Sequence, residues 1–391
     1  MELSMETTVA IVGAGVAGLT LATFLHQAGV PCVVLERRDR AYLEQRQRAG
    51  VVEARGVRMF ERWGLADQLL GGPVAQTIDY RLDGTSRIFE LSSDDGSQGR
   101  FCTQQMLVHN LLRELLDQRA GDVRFGVTDL SIDLTDSERP RVRYADATGA
   151  HELSCAYVVG CDGSRGTSRA AIPAGVLTTY HHEFGYAWLA ALVEAPLVGH
   201  PIMGVSDYGF VGQLPRGPQR SRYYLQCALS DTAEDWPNER LWHEIRRRTG
   251  DATLPEAPVL DKFFVPLRSV VHAPMQYGRL FLAGDAAHLV PPASAKGMNL
   301  ALYDVDVLAQ ALRQAVHAHD ETALQTYSDT CLAHVWRYQE FAVEMTDMLH
   351  DAGDATQHGA FRRQVARAKL AALFTSPTDA RRHSEFQRGL A

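Results

Sequence analysis

Three apolar runs in this chain end on a carboxylate, and a fourth ends on glycines. Tyr157-Val158-Val159-Gly160-Cys161 leads into Asp162-Gly163, Leu280-Phe281-Leu282-Ala283 into Gly284-Asp285, and Cys32-Val33-Val34-Leu35 into Glu36. The fourth run, Val9–Val12, opens onto Gly13-Ala14-Gly15-Val16-Ala17-Gly18. An ionised carboxylate only accepts hydrogen bonds, and burying one without a donor is costly. A polyhydroxylated ligand supplies donors. The glycine turn offers the complementary chemistry, backbone N–H groups and the positive end of a helix, which suit phosphate.

The spacing makes this specific. Gly13 permits a tight turn, Gly15 lets a pyrophosphate approach the backbone, and Gly18 lets a helix pack on the strand. Glu36 follows Gly18 by 18 residues, where an acid can accept from both ribose hydroxyls of an adenosine. The elements that must position these groups are legible too: a strand at Val9–Val12, a helix from Leu19 to about Ala28, and a strand at Cys32–Leu35. Glu36 suits an unphosphorylated ribose, as in FAD or NAD, and no second GxGxxG follows for a separate nicotinamide domain. In a parallel sheet, strand C-termini line the ligand crevice. Asp162 and Asp285 would stand there, Asp285 able to accept from a ribityl chain. A helix starting at Gly297-Met298-Asn299 would aim its amides at an electron-poor ring edge. The residues predict FAD, with the loop 284–297 as the floor of a flavin site.

Composition narrows the class. The chain has 391 residues, 46% hydrophobic and 22% charged, enough for two interleaved domains with their own cores. A net charge of -8 argues against a nucleic-acid or anionic-membrane partner. Arg37, Arg38, Arg40, Arg46 and Arg48 nevertheless cluster, which predicts a specific anionic ligand. Six scattered cysteines without CxxC, an acidic N-terminus and no long apolar run predict a cytoplasmic protein with reduced thiols and no membrane span. His181-His182 and His317-Ala318-His319 lack partners with ligand spacing, so no metal is expected. Oligomeric state is left open, a homodimer included.

The combination of GxGxxG with Glu36, then Arg46-Gln47-Arg48-Ala49-Gly50, Gly160-Cys161-Asp162-Gly163, and Gly284-Asp285-Ala286-Ala287-His288 running to Lys296-Gly297-Met298-Asn299 resembles the single-component flavin aromatic hydroxylases. The resemblance covers about residues 8–350 and is weak over the final 40. It implies an α/β fold: a FAD-binding domain of glutathione-reductase type, interrupted by an α+β substrate domain on an antiparallel sheet, with C-terminal helices. The expected division is 1–73, 99–178 and 266–350 for FAD, 74–98 and 179–265 for substrate, and 351–391 as a C-terminal helical segment. Pro266 is expected to mark the return to the FAD domain.

Carried over by position, the resemblance places Arg48 on the pyrophosphate, Gln104 along the ribityl chain and Met298 and Asn299 at the flavin ring. Arg37, Arg38, Tyr42, Arg46, Arg165, Arg169 and Arg268 stand where NADPH is met; the family has histidine at Arg165. Arg216 and Tyr224 match a clamp on a substrate carboxylate, Arg222 an arginine near the flavin, and Pro292 a backbone carbonyl beside the ring. Other positions differ. A clamp serine is Leu214, and a threonine after the second proline is Ala293. The tyrosine that takes a phenol proton is Met203, its partner is Phe386, and the outer histidine falls at Ala75 or Gln76. The proton wire is therefore expected to be missing.

The implied activity is NADPH- and O2-dependent hydroxylation of a small aromatic carboxylic acid by way of a flavin hydroperoxide. The expected substrate is an amino-hydroxybenzoate such as 3-amino-4-hydroxybenzoate attacked at C2, with 4-hydroxybenzoate 3-hydroxylation the alternative. A flavin oxidase without oxygen insertion and a non-catalytic flavin-bearing sensor remain as rivals.

Overall fold

The computed structural model describes residues 5–46, 50–91, 96–136, 138–197, 199–350 and 357–390. Two eight-stranded sheets organise the chain. The first contains Met5–Val12, Cys32–Leu35, Asp122–Arg124, Gly149–Gly160 and Leu280–Leu282, which pair parallel with one another, while antiparallel strands flank Gly149–Gly160 and Leu280–Leu282. Val9–Val12 is buried throughout, and Gly149–Gly160 ends in a buried apolar run, as expected of strands covered on both faces. The helix Val16–Gln27 buries nine consecutive residues, Ala17 to Leu25. Because these strands run in one direction, the glycine turn, Glu36, Asp162 and Asp285 all emerge from the same edge.

The second sheet runs His288–Leu289, Val259–Ala273, Thr178–Val193, Ser221–Ala228, Gly209–Pro215, Ile202–Ser206, Thr77–Leu82 and Thr85–Glu90. It was expected to be antiparallel, and one pairing is not: Ile202–Ser206 lies parallel to Thr77–Leu82. The hairpin 77–90 reaches the sheet from a distant part of the chain, so no tight turn dictates its direction.

Pro266 does not end a strand. Val259–Ala273 pairs with Thr178–Val193 from Val259↔Val193 to Ala273↔Thr178, with an irregularity between Ala187↔Pro266 and Glu183↔Arg268. Proline has no N–H to give the ladder, and a bulge beside it accommodates the loss.

The helices Gly297–Ala318 and Tyr327–Leu349 follow the last strands, and Pro377–Gln387 closes the described chain. Tyr338 and Phe341 of the second meet Phe386 of the last, with ring centroids 5.5 and 4.8 Å apart. The C-terminal segment is thus packed into the body of the protein.

Candidate active site

The glycine turn is shaped by close approach. Gly13 has φ +102°, and a Cβ there would stand 2.5 Å from Cys161 O. At Gly18 a Cβ would stand 1.9 Å from Gly13 O. At Gly15 it would meet nothing within 4 Å. Gly15 is also the N-cap of the helix and supplies no side-chain cap. First-turn N–H groups facing open space form an anion site. Glu36 Oε2 accepts from Ala14 N at 2.7 Å and Oε1 from Arg38 N at 2.8 Å. Each oxygen keeps a lone pair for a hydroxyl.

Asp285 is half-buried, and its carboxylate has no hydrogen-bond partner among the described residues. Gly284, at φ +61°, brings that turn against Ala17 of the first helix. Gly50, Gln104 and Met298 also converge: a Cβ on Gly50 would lie 2.8 Å from Gln104 N and 3.0 Å from Met298 Cε. A space over Gly15, an unspent Asp285 and the uncapped N-terminus of the 297–318 helix fit an extended dinucleotide. These residues fit FAD.

Other predicted site residues have their groups engaged. Asp162 Oδ2 accepts from Ser168 N at 2.8 Å and Ser168 Oγ at 2.9 Å, so this oxygen holds its own loop. Asn299 Oδ1 accepts from Glu53 N at 3.0 Å, while Nδ2 donates to Val51 O at 2.8 Å and Ala295 O at 3.0 Å. Its side chain is a bracket, which leaves its backbone for a ligand. Arg169, expected at NADPH, donates to the Gly163, Ser164 and Ala286 carbonyls and joins the two aspartate turns. Arg37, Arg38, Tyr42, Arg46 and Arg165 are exposed, and Arg268 is half-buried in the second sheet. Arg48 lies outside the described residues.

Against the second sheet, under the segments 51–54 and 292–299, lies an apolar cavity of about 880 Å³ including its mouth. Met203, Leu214, Tyr224, Pro292 and Ala293 line it, so five residues named from sequence meet in one place. Arg216 stands behind Tyr224, with Nη2 donating to the Tyr224 hydroxyl at 2.6 Å and a buried Nε without a partner. Arg222 is 1% exposed and does not line the cavity; its guanidinium lies over Phe263, 4.9 Å from the ring centroid. Burial holds the Arg222 guanidinium below its usual pKa. Ala75 lines the cavity, while Gln76 and Phe386 do not.

Several cavity residues were not legible beforehand. Trp188 and Phe210 form a stacked wall, 5.2 Å between centroids. Lys296 is buried against Glu53 at 2.8 Å. Its pKa is lowered by burial, against the pull of Glu53. Gln387 and Arg388 close the cavity from the C-terminus. Tyr80 also lines it, with its hydroxyl 2.9 Å from His383 Nε2. A phenol and an imidazole thus stand where the sequence predicted no proton-handling group. The sequence-level signal was slight: a tyrosine among Thr77–Leu82 is ordinary in a strand, and a histidine in a polar C-terminal helix passes for surface.

Comparison with known proteins agrees with this geometry. Residues 6–342 match the FAD binding domain family. The chain is 33% identical over 381 residues to p-hydroxybenzoate hydroxylase of Acinetobacter baylyi, covering 95% of this chain and 93% of that protein. A probable NADH-specific resorcinol 4-hydroxylase of Rhodococcus jostii is 28% identical over 368 residues, covering 90% and 68%. Among solved structures, p-nitrophenol 4-monooxygenase from Pseudomonas putida shares the fold, with TM-score 0.84 at 20% identity over 99% of both chains. The flavin-dependent reading therefore stands with the fold that carries it, and the non-catalytic sensor does not: this chain belongs to the family of FAD-dependent aromatic hydroxylases, and it is a flavin-dependent aromatic-ring monooxygenase.

Proposed function

We propose that the enzyme hydroxylates an electron-rich benzoate bound with its carboxylate toward Tyr224 and Arg216. The favoured substrate is an amino-hydroxybenzoate, such as 3-amino-4-hydroxybenzoate attacked at C2. FAD, reduced by NADPH, supplies electrons and the electrophilic oxygen taken from O2. The chain's own residues bind and orient. Arg216 donates to Tyr224 and keeps a buried N–H unspent, which suits an anion at this end. Trp188, Phe210, Met203 and Leu214 keep water from the ring.

The observation that carries the aminated substrate is Met203 on the cavity wall. A thioether takes no proton from a phenol, whose pKa is near 10. A neutral ring amine already donates electron density. The second reading, 4-hydroxybenzoate attacked at C3, is favoured by the 33% identity to p-hydroxybenzoate hydroxylase. Coupled turnover decides: NADPH consumed, hydroxylated product formed and peroxide released, for both acids. Tight coupling with 4-hydroxybenzoate and none with the aminated acid reverses the order. Arg216→Ala is expected to weaken acid binding by about 2–5 kcal/mol with FAD content unchanged; normal affinity would remove the clamp.

A further inference from the structure

Tyr80 and Met203 are partners in register on the parallel strands Thr77–Leu82 and Ile202–Ser206. Both line the cavity. His383 and Phe386 lie three residues apart, one turn of the helix Pro377–Gln387. The two positions at which sequence reasoning found a proton wire removed, Met203 and Phe386, are therefore each flanked by a group able to handle a hydrogen bond. Those two groups meet: the Tyr80 hydroxyl and His383 Nε2 are 2.9 Å apart.

The pair is held rigidly. Tyr80 is 1% exposed and His383 4%. Phe89 meets the His383 ring edge-on at 5.1 Å and the Tyr80 ring at 6.2 Å; Phe374 packs on Tyr80 and Phe341 on His383. Burial, then the cations Lys296 and Arg382, hold the imidazole down to about 3, so it is neutral. A neutral imidazole has one nitrogen that accepts and one that donates. With Nε2 accepting the Tyr80 hydrogen, the Tyr80 oxygen keeps lone pairs for the cavity. Its own phenol, pushed up by burial, keeps its proton.

We propose that Tyr80, oriented by His383, accepts a hydrogen bond from the ring hydroxyl or amino group of the bound acid and thereby selects substrates that carry such a donor. This rests on the reading of the cavity as the aromatic-acid site. Tyr80 is then a specificity-determining residue, and His383 is a positioning residue that acts through it. The hydrogen bond places the donor-bearing carbon and raises electron density in the ring without requiring a full negative charge in an apolar cavity.

The test is calorimetric binding of two probes, 4-hydroxybenzoate and benzoate, to the FAD-loaded enzyme, with the 13C shift of 4-hydroxybenzoate labelled at C4 as the spectroscopic signature. The native enzyme is expected to prefer 4-hydroxybenzoate by about ten-fold, the worth of one hydrogen bond. Tyr80→Phe should erase that preference, leave benzoate affinity unchanged and move the bound C4 shift. His383→Leu should do the same in part, His383→Gln should restore it, and Tyr80→Phe/His383→Leu should be no worse than Tyr80→Phe. A preference retained in Tyr80→Phe, equal losses for both acids, or additive losses in the double variant overturns the proposal alone. Should Tyr80→Phe fail to fold, the contrast of His383→Leu with His383→Gln decides. If the native enzyme binds neither acid, the reading of the cavity falls and this proposal falls with it.

Discussion

Lys296 Nζ lies 2.8 Å from Glu53 Oε2, and the two side chains are 2% and 4% exposed. The same ammonium donates to Gln387 O at 3.0 Å. One cation therefore ties the start of the helix Gly297–Ala318 to the N-cap of the helix Ala54–Arg62 and to the C-terminal tail. A Cβ on Gly389 would stand 2.0 Å from Glu53 Oε1, so only glycine lets the tail lie this close.

A buried pair broken on one side leaves the other charge uncompensated. Lys296→Met is expected to cost about 3–5 kcal/mol. Adding Glu53→Gln should recover much of the loss. Urea unfolding of FAD-free protein checks this without interference from cofactor content, and equal stability of Lys296→Met and native protein would count against the coupling.

The glycine turn separates folding from cofactor binding. At Gly18 a Cβ would collide with Gly13 O at 1.9 Å, so Gly18→Ala should lower stability. At Gly15 the space is open, so Gly15→Ala should fold normally yet lose the yellow, non-covalently bound FAD, because the methyl group occupies the path of the pyrophosphate. Absorbance of purified protein and thermal unfolding of the apoprotein report the two effects independently. A Gly15→Ala protein with full FAD would place the phosphates elsewhere.

Acid should destabilise the fold through its histidines. Burial foremost holds His334, His350 and His383 down to about 3 and His272 to about 4. An unfolded histidine takes its proton near pH 6.5. Between those values the unfolded chain binds more protons, so this contribution is complete above pH 6.5 and is lost as pH falls toward about 3. His288 works in the opposite sense: burial alone would lower its pKa, but Asp304 at 2.7 Å raises it, and its contribution fades as pH rises through that value. Each neutral buried histidine steepens the loss by about 1.4 kcal/mol per pH unit. Urea midpoints between pH 7.5 and 5 should fall. His350→Gln should flatten the slope, since His350 accepts from Trp188 Nε1 at 2.6 Å and carries no charge when folded.

Nicotinamide preference should follow the arginines after Glu36. Arg37 and Arg38 are exposed, and the Arg38 guanidinium lies over Tyr42 at 4.9 Å. Glu36 is turned to the glycine side by Ala14 N. NADPH is expected to be used in preference to NADH, and the Arg37→Ala/Arg38→Ala protein to lose about ten-fold of that preference, the worth of one charge-assisted contact. The ratio of kcat/KM values for the two nucleotides measures it; an unchanged ratio moves the phosphate site to other residues.

What the sequence determined by itself was the cofactor half. Gly13, Gly15, Gly18 and Glu36 act through a turn, a helix start and a strand end that lie within 24 residues of one another, so their chemistry is written in local backbone geometry. Asp162 and Asp285 could be assigned to the same edge because parallel strands must end together. Their separate jobs, one holding its loop and one left free for a ligand, were invisible until Ser168 and Arg169 were in place. The cavity was a tertiary decision. Tyr80 and His383 are 303 residues apart. Lys296 and Glu53 are 243 apart. No periodicity or spacing links such pairs. Tyr80 and His383 meet because the hairpin 77–90 joins the second sheet in parallel beside Met203, and because the C-terminal helix packs on Phe341; burial then fixes which groups remain neutral and which must be paired.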